Sequence, residues 1–192
     1  TETGEDYFEV LSLTGLTTGG IHVGYDDVER FVVQTGSAAD RIDVRDTMYD
    51  PESTLLLVTG TGDDVINVSP ESPEHWDPSD GIFGGLAIDT QAGDDIVTIV
   101  DIHGETAVNT AEGSDTGNVL TTHTPATINT GDDKDTVHIL TVGADMTVNA
   151  GSGDDIVVIE DIYAEATVNM AEGSDTLLSP DGDHTWEITG PN

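Results

Sequence analysis

The pattern TVNAGSGDDIVVI, running from Thr147 to Ile159, returns with the same skeleton at Ala87, Ala107, Thr127 and Thr167, each start 20 residues from the next. Upstream, Val32 (VVQTGSAADRIDV) and Leu56 (LLVTGTGDDVINV) open two further copies, and Leu11 (LSLTGLTTGGIHV) opens a degenerate eighth. A chain that repeats at one short interval meets the same packing problem in every unit. Its solution is a stack, in which each unit buries its apolar face against the next.

Positions within a rung are numbered from one at Thr147. In the seven copies from Val32 onward position 2 is aliphatic: Val33, Leu57, Ile88, Val108, Ile128, Val148 and Val168. Positions 11 and 13 pair as Ile42/Val44, Ile66/Val68, Val97/Ile99, Val137/Ile139 and Val157/Ile159, with a mostly polar residue between. Alternation in β-branched residues marks a strand with one buried face. Position 16 (Ile102, Val142, Ile162) begins a third short apolar segment. Two or three strands per 20 residues, joined at glycine-rich corners, close one coil per rung. Equivalent strands then stack in parallel about 4.8 Å apart. The fold expected is all-β, a parallel β-helix or β-roll-like solenoid of about eight 20-residue rungs, rising about 38 Å at that spacing.

The corner at positions 4 to 9 carries the chemistry. Position 9 is Asp40, Asp64, Asp95, Asp115, Asp135, Asp155 and Asp175, and position 8 adds Asp63, Asp94 and Asp154. Stacking aligns these carboxylates one rung apart. Unit charges at that distance repel by roughly 1 kcal/mol in water and about 3–4 kcal/mol at an effective dielectric near 20. Only four basic residues are present (Arg30, Arg41, Arg45, Lys134) against a net charge of −35, so neutralising charge has to come from solution. Calcium suits such a corner, because it accepts six to eight oxygens in irregular geometry. Gly60, Gly62, Gly151 and Gly153 at positions 5 and 7 allow a tight turn that aims carbonyls inward.

Gly60-Thr61-Gly62-Asp63-Asp64-Val65-Ile66 and Gly151-Ser152-Gly153-Asp154-Asp155-Ile156-Val157 read G-x-G-x-D-x-U, where U is a large aliphatic residue. Here the sequence resembles the repeats-in-toxin (RTX) calcium-binding family, whose nonapeptide is G-G-x-G-x-D-x-U-x. Thr59 and Ala150 stand where that motif has its first glycine, and the opposite corner of each rung lacks the motif. The resemblance implies several calcium ions along one edge only, bridging successive rungs. It also implies a secreted protein that folds on meeting extracellular calcium. Beside it stands a metal-free alternative: an aspartate after a glycine turn can cap its own loop by accepting backbone N–H bonds. Lys134 suggests that the rung at Thr127 neutralises itself.

Other columns are less specific. Asn109, Asn129, Asn149 and Asn169 share position 3 and predict an amide ladder. Thr90, Thr110 and Thr130 line position 4, but an ice-templating surface needs long unbroken rows, and Ala150 and Met170 interrupt this one. His103 and His123 share position 17 and should be stacked neighbours; they form a transition-metal pair lacking a third ligand, or simply surface residues.

Outside the rungs, residues 1–10 carry no repeat match and read as a linker or partial cap, leaving 11–192 as the solenoid. The period is strict over 87–186. An insertion over 69–85, rich in Pro, Ser and Gly and holding Trp76 and Phe83, reads as a surface excursion. It either contacts a protein or glycan partner or folds back over the coil. The start Thr1-Glu2-Thr3-Gly4 suggests a processed or excised segment, and a last rung stopping partway implies either a cap or an excised piece of a longer array.

So acidic a chain repels nucleic acid and anionic membrane surfaces. No apolar run is long enough to span a membrane. Cysteine is absent, which excludes disulfides and thiolate metal sites. The acid columns repeat monotonously, whereas an active site breaks a repeat at one place, so no enzyme is expected; a polysaccharide-active β-helix is the least favoured reading. The function expected is a calcium-stabilised structural module at the cell surface or outside the cell: a stalk, adhesin segment or self-assembling filament. The alternative is a halophile surface protein whose acids only bind water and monovalent cations. Open solenoid ends further predict end-to-end self-association, with lateral self-association as the alternative.

Overall fold

The computed structural model describes residues 7–10, 30–44, 52–69 and 83–180. Among them there is no helix. The chain coils through two parallel sheets that it visits alternately, completing about six turns. The first sheet holds β1 (Tyr7–Val10), β2 (Arg30–Gln34), β4 (Thr54–Val58), β6 (Gly85–Asp89), β8 (Thr106–Asn109), β10 (Ala126–Asn129), β12 (Met146–Ser152) and β14 (Ala166–Glu172). The second holds β3 (Arg41–Val44), β5 (Val65–Val68), β7 (Ile96–Ile102), β9 (Thr116–Thr122), β11 (Thr136–Val142), β13 (Ile156–Ile162) and β15 (Thr176–Leu178).

Register follows the sequence period. Thr127 lies opposite Thr147 and Ile128 opposite Val148 in the first sheet, and Val137 opposite Val157 in the second. Like therefore stacks on like. Position 2 supplies Leu57, Ile88, Val108, Ile128 and Val148 to the core; positions 11 and 13 supply Ile66, Val68, Val97, Ile99, Val137, Ile139, Val157 and Ile159 from the facing sheet. Each such aliphatic, fully buried, contributes about 1.5–3 kcal/mol of transfer free energy. Alternation in the sequence thus becomes a dry, two-walled interior.

Of the two or three strands expected per rung the structure has two: β7, β9, β11 and β13 each run unbroken through positions 10 to 16. Within residues 1–10, read as a linker or partial cap, β1 pairs with β2 in parallel and sets Glu9 opposite Val32. The count of about eight rungs is not reached, since the copy opened at Leu11 lies outside the described residues, as do most of the 69–85 insertion and the final partial rung.

Candidate cation-binding corner

Between the two strands of a rung the chain turns at positions 4 to 9, and there the ladder of backbone bonds would fail. Short bridges carry it on: Glu112 N–H donates to the Gln91 carbonyl (3.1 Å), Asp132 N–H to Ala111 (2.8 Å) and Ser152 N–H to Gly131 (2.9 Å). Position-5 carbonyls therefore run along the stack axis, engaged with the next rung, and do not aim inward as the glycine spacing suggested. Glycine is needed for a different reason. Gly131 and Gly151 sit at φ 102° and 82°, and a Cβ on either would collide with the carbonyl oxygen of the rung below, at Ala111 and Gly131 respectively. Gln91, Ala111 and Asp133 hold the same left-handed conformation (φ 67°, 71° and 80°) without being glycine.

At position 9 a side chain does the backbone's work. The N–H of Asp95 donates to Oδ1 of Asp115 (2.8 Å), that of Asp115 to Asp135 (2.8 Å), and that of Asp135 to Asp155 (2.9 Å). The same bond links Asp40 to Asp64, Asp64 to Asp95, and Asp155 to Asp175. All seven aspartates form one continuous ladder. It points inward, because position 9 has the same parity as positions 11 and 13. Asp64, Asp95, Asp115, Asp135 and Asp155 are buried. Position 8 has the opposite parity and faces solvent. There Asp63 accepts from Asp94 N–H (3.1 Å), Asp94 from Ser114 N–H (2.9 Å) and Asp154 from Ser174 N–H (2.8 Å). The acids therefore do cap backbone N–H groups, but those of the adjacent rung and not of their own loop.

One oxygen of each buried carboxylate is left over. Oδ2 of Asp40, Asp64, Asp95, Asp115, Asp135 and Asp155 is enclosed and accepts no hydrogen bond. Leaving such an atom unpaired is costly. The position-4 threonines stand beside the ladder, yet Thr110 and Thr130 spend their proton on the carbonyls of Thr130 (3.0 Å) and Ala150 (2.9 Å). Those threonines are buried, which removes the ice-templating reading. Burial pushes the Asp95 and Asp135 carboxyls up to about 6, against partial relief from the backbone N–H that each accepts and with added repulsion from adjacent aspartates. Asp64, Asp115 and Asp155 are raised for the same leading reason. Lys134 is exposed and makes no ion pair with Asp135 among the described residues, so the rung at Thr127 does not neutralise its buried acid.

The chain matches no family model, no curated protein and no solved structure. Its resemblance to the RTX nonapeptide therefore rests on the corner residues themselves.

Two features escaped the sequence reading. Exposed Glu112, Asp132 and Glu172 at position 6 flank an open acidic depression with Asp133 on the outer side of the corner. At the C-terminal ends of β7 and β9, Asp101 joins His103 and His123, supplying the third group that the histidine pair was expected to lack. The signal was present in the spacing, since Asp101 at position 15 and His103 at position 17 share a parity. The expected amide ladder forms in part, with Asn149 donating to Asn129 (2.7 Å) and Asn169 to Asn149 (2.6 Å).

Proposed function

We propose that this chain is a rigid β-solenoid module of an extracellular or cell-surface protein, stabilised by several calcium ions along its aspartate corner and serving as a stalk, adhesin segment or surface filament. The observation that carries this reading is the column of buried carboxylate oxygens with no partner, Oδ2 of Asp40, Asp64, Asp95, Asp115, Asp135 and Asp155. An ion between rungs would take Oδ2 from consecutive aspartates. The donors at hand are hard oxygens: carboxylates and the second lone pairs of corner carbonyls, a set that suits calcium better than softer metals. The exposed carboxylates of Asp63, Asp94 and Asp154 favour cations around the same edge. Gly60, Gly62, Gly151 and Gly153 act indirectly, by letting rungs approach closely enough for one ion to be shared. With the copies opened at Leu11 and at Glu187, the stack extends to about eight rungs, and its open ends invite end-to-end association. The 69–85 segment is where a protein or glycan partner would be sought.

A second reading has its own support. Exposed acids at positions 6 and 8 are suited to hydration and monovalent counterions, as in a halophile surface protein. Thermal unfolding of the full chain separates the two. In chelator, then with rising millimolar Ca2+ or Mg2+, a saturable calcium-specific rise in Tm is expected. A Tm that rises only in molar salt of any kind overturns the calcium reading.

A further inference from the structure

Away from the aspartate corner, the end of β7 and the turns after β7 and β9 bring three metal-binding side chains together. Asp101 lies at position 15, His103 two residues on, and His123 at the same place one rung above. We propose that Asp101, His103 and His123 form a site for a divalent first-row transition-metal ion such as zinc, separate in place and donor chemistry from the all-oxygen corner.

The distances favour it. His103 Nε2 is 3.2 Å from Asp101 Oδ2, and His123 Nε2 is 3.1 Å from Asp101 Oδ1. One donor atom from each residue can be chosen so that all lie within 4.8 Å of one another. Tetrahedral bonds of about 2.0–2.1 Å place ligand atoms roughly 3.3 Å apart; each imidazole already stands near that distance from one oxygen of Asp101, His103 from Oδ2 and His123 from Oδ1, and a shared ion would draw both onto it. Asp101 Oδ1 is enclosed and lies on the axis of no hydrogen bond, even though His123 Nε2 is near. Two imidazoles and one carboxylate leave a fourth position for water, as in open zinc sites.

One adjustment is required. The two rings stack with centroids 4.5 Å apart and an interplanar angle of 14°. A metal lies in the plane of the imidazole that binds it, so parallel rings cannot both address one ion. His103 is held from its other side by Phe83, stacked at 5.0 Å and 21°. His123 is free to turn: its side chain is 48% exposed, and the next residue in the column is Gly143, which has no side chain. Asp101 and His103 are the fixed half of the site, and His123 swings to complete it. The net charge of −35 concentrates cations around the whole molecule, but imidazole nitrogens select transition metals over calcium.

The test uses the full chain in excess Ca2+, which covers the carboxylates, titrated with Co2+ and followed by its visible d–d absorbance. A one-to-one end point, displaced by Zn2+, is expected. His123→Ala and Asp101→Asn should each weaken Co2+ binding at least about 100-fold, beyond the roughly 10–100-fold typical of losing an outer-shell partner. His138→Ala removes an imidazole elsewhere, one paired with Glu160 at 2.7 Å, and should leave the end point unchanged. Absence of a one-to-one end point overturns the proposal, and so does an end point that survives both substitutions. Should Asp101→Asn not fold, the surface variant His123→Ala decides alone.

Discussion

At the residue scale, each buried aspartate has two oxygens with different tasks, and substitution can separate them. Asp135 Oδ1 accepts the Asp115 N–H at 2.8 Å, while Oδ2 accepts nothing. Asp135→Asn keeps the acceptor and removes the charge. In chelator at pH 7 it should raise Tm by about 2–4 °C, the shift that ~1 kcal/mol gives in a chain of this size, and it should shrink the gain from calcium. Asp135→Ala orphans the buried N–H and should cost about 1–3 kcal/mol with or without calcium. Equal losses from both variants would show that the charge itself is part of the metal-free fold. The backbone offers a second pair of opposite sign. Ala111 holds φ 71°, so Ala111→Gly should relieve about 1 kcal/mol of left-handed strain. Gly151→Val meets the Gly131 carbonyl from a φ of 82° and should destabilise by roughly 2–4 kcal/mol in denaturant melts. Alignment of the seven aspartates was legible from their common spacing. Their inward direction was legible too, since position 9 shares its parity with 11 and 13.

At the element scale, sequence periodicity located both sheets and their core faces, because Val, Ile and Leu at positions 2, 11 and 13 alternate with polar neighbours. It left open whether the long second strand is one strand or two. In β11, Ile139 and Val142 are both buried with Leu140 exposed and Thr141 half-buried between them, and the pairing with β13 passes over Leu140. Two apolar residues three apart break a period of two, so one bent strand reads as two short ones. The stack makes a prediction of its own. Stability in a solenoid is close to a sum of rung and interface contributions, and like positions stack on like. Deleting 127–146, one full period, should leave Thr147 stacked on Ala107 and Asp155 bonded to Asp115. The shortened chain should keep its β circular-dichroism spectrum and melt cooperatively at a moderately lower temperature. Deleting 127–136 places the first strand of one rung against the second of another and should abolish the cooperative melt. If the half-period deletion melts like the full one, the register is not what holds the stack together.

For the molecule as a whole, acidity and calcium should act on the same ladder in opposite pH ranges. Asp95 and Asp135 titrate at about 6 in the folded chain, against an ordinary value of 3.8. Between those values the native state holds protons that the unfolded chain has lost. Stability therefore falls as pH rises through that window, in contrast to a salt-bridged carboxylate, which loses stability on acidification. Relief of the general repulsion in a chain of net charge −35 acts in the same direction. In chelator, Tm should drop between pH 5 and pH 7. Saturating calcium supplies at neutral pH the positive charge that protons supply near pH 4, so the drop should narrow or vanish with the ion present, and the increment due to calcium should grow with pH. Melts at pH 5, 6 and 7, each with chelator and with calcium, measure both slopes. A Tm that climbs from pH 5 to 7 in chelator would mean that the enclosed Oδ2 atoms are solvated or paired in solution. The ladder would then be a capping device alone, with no vacancy for a cation.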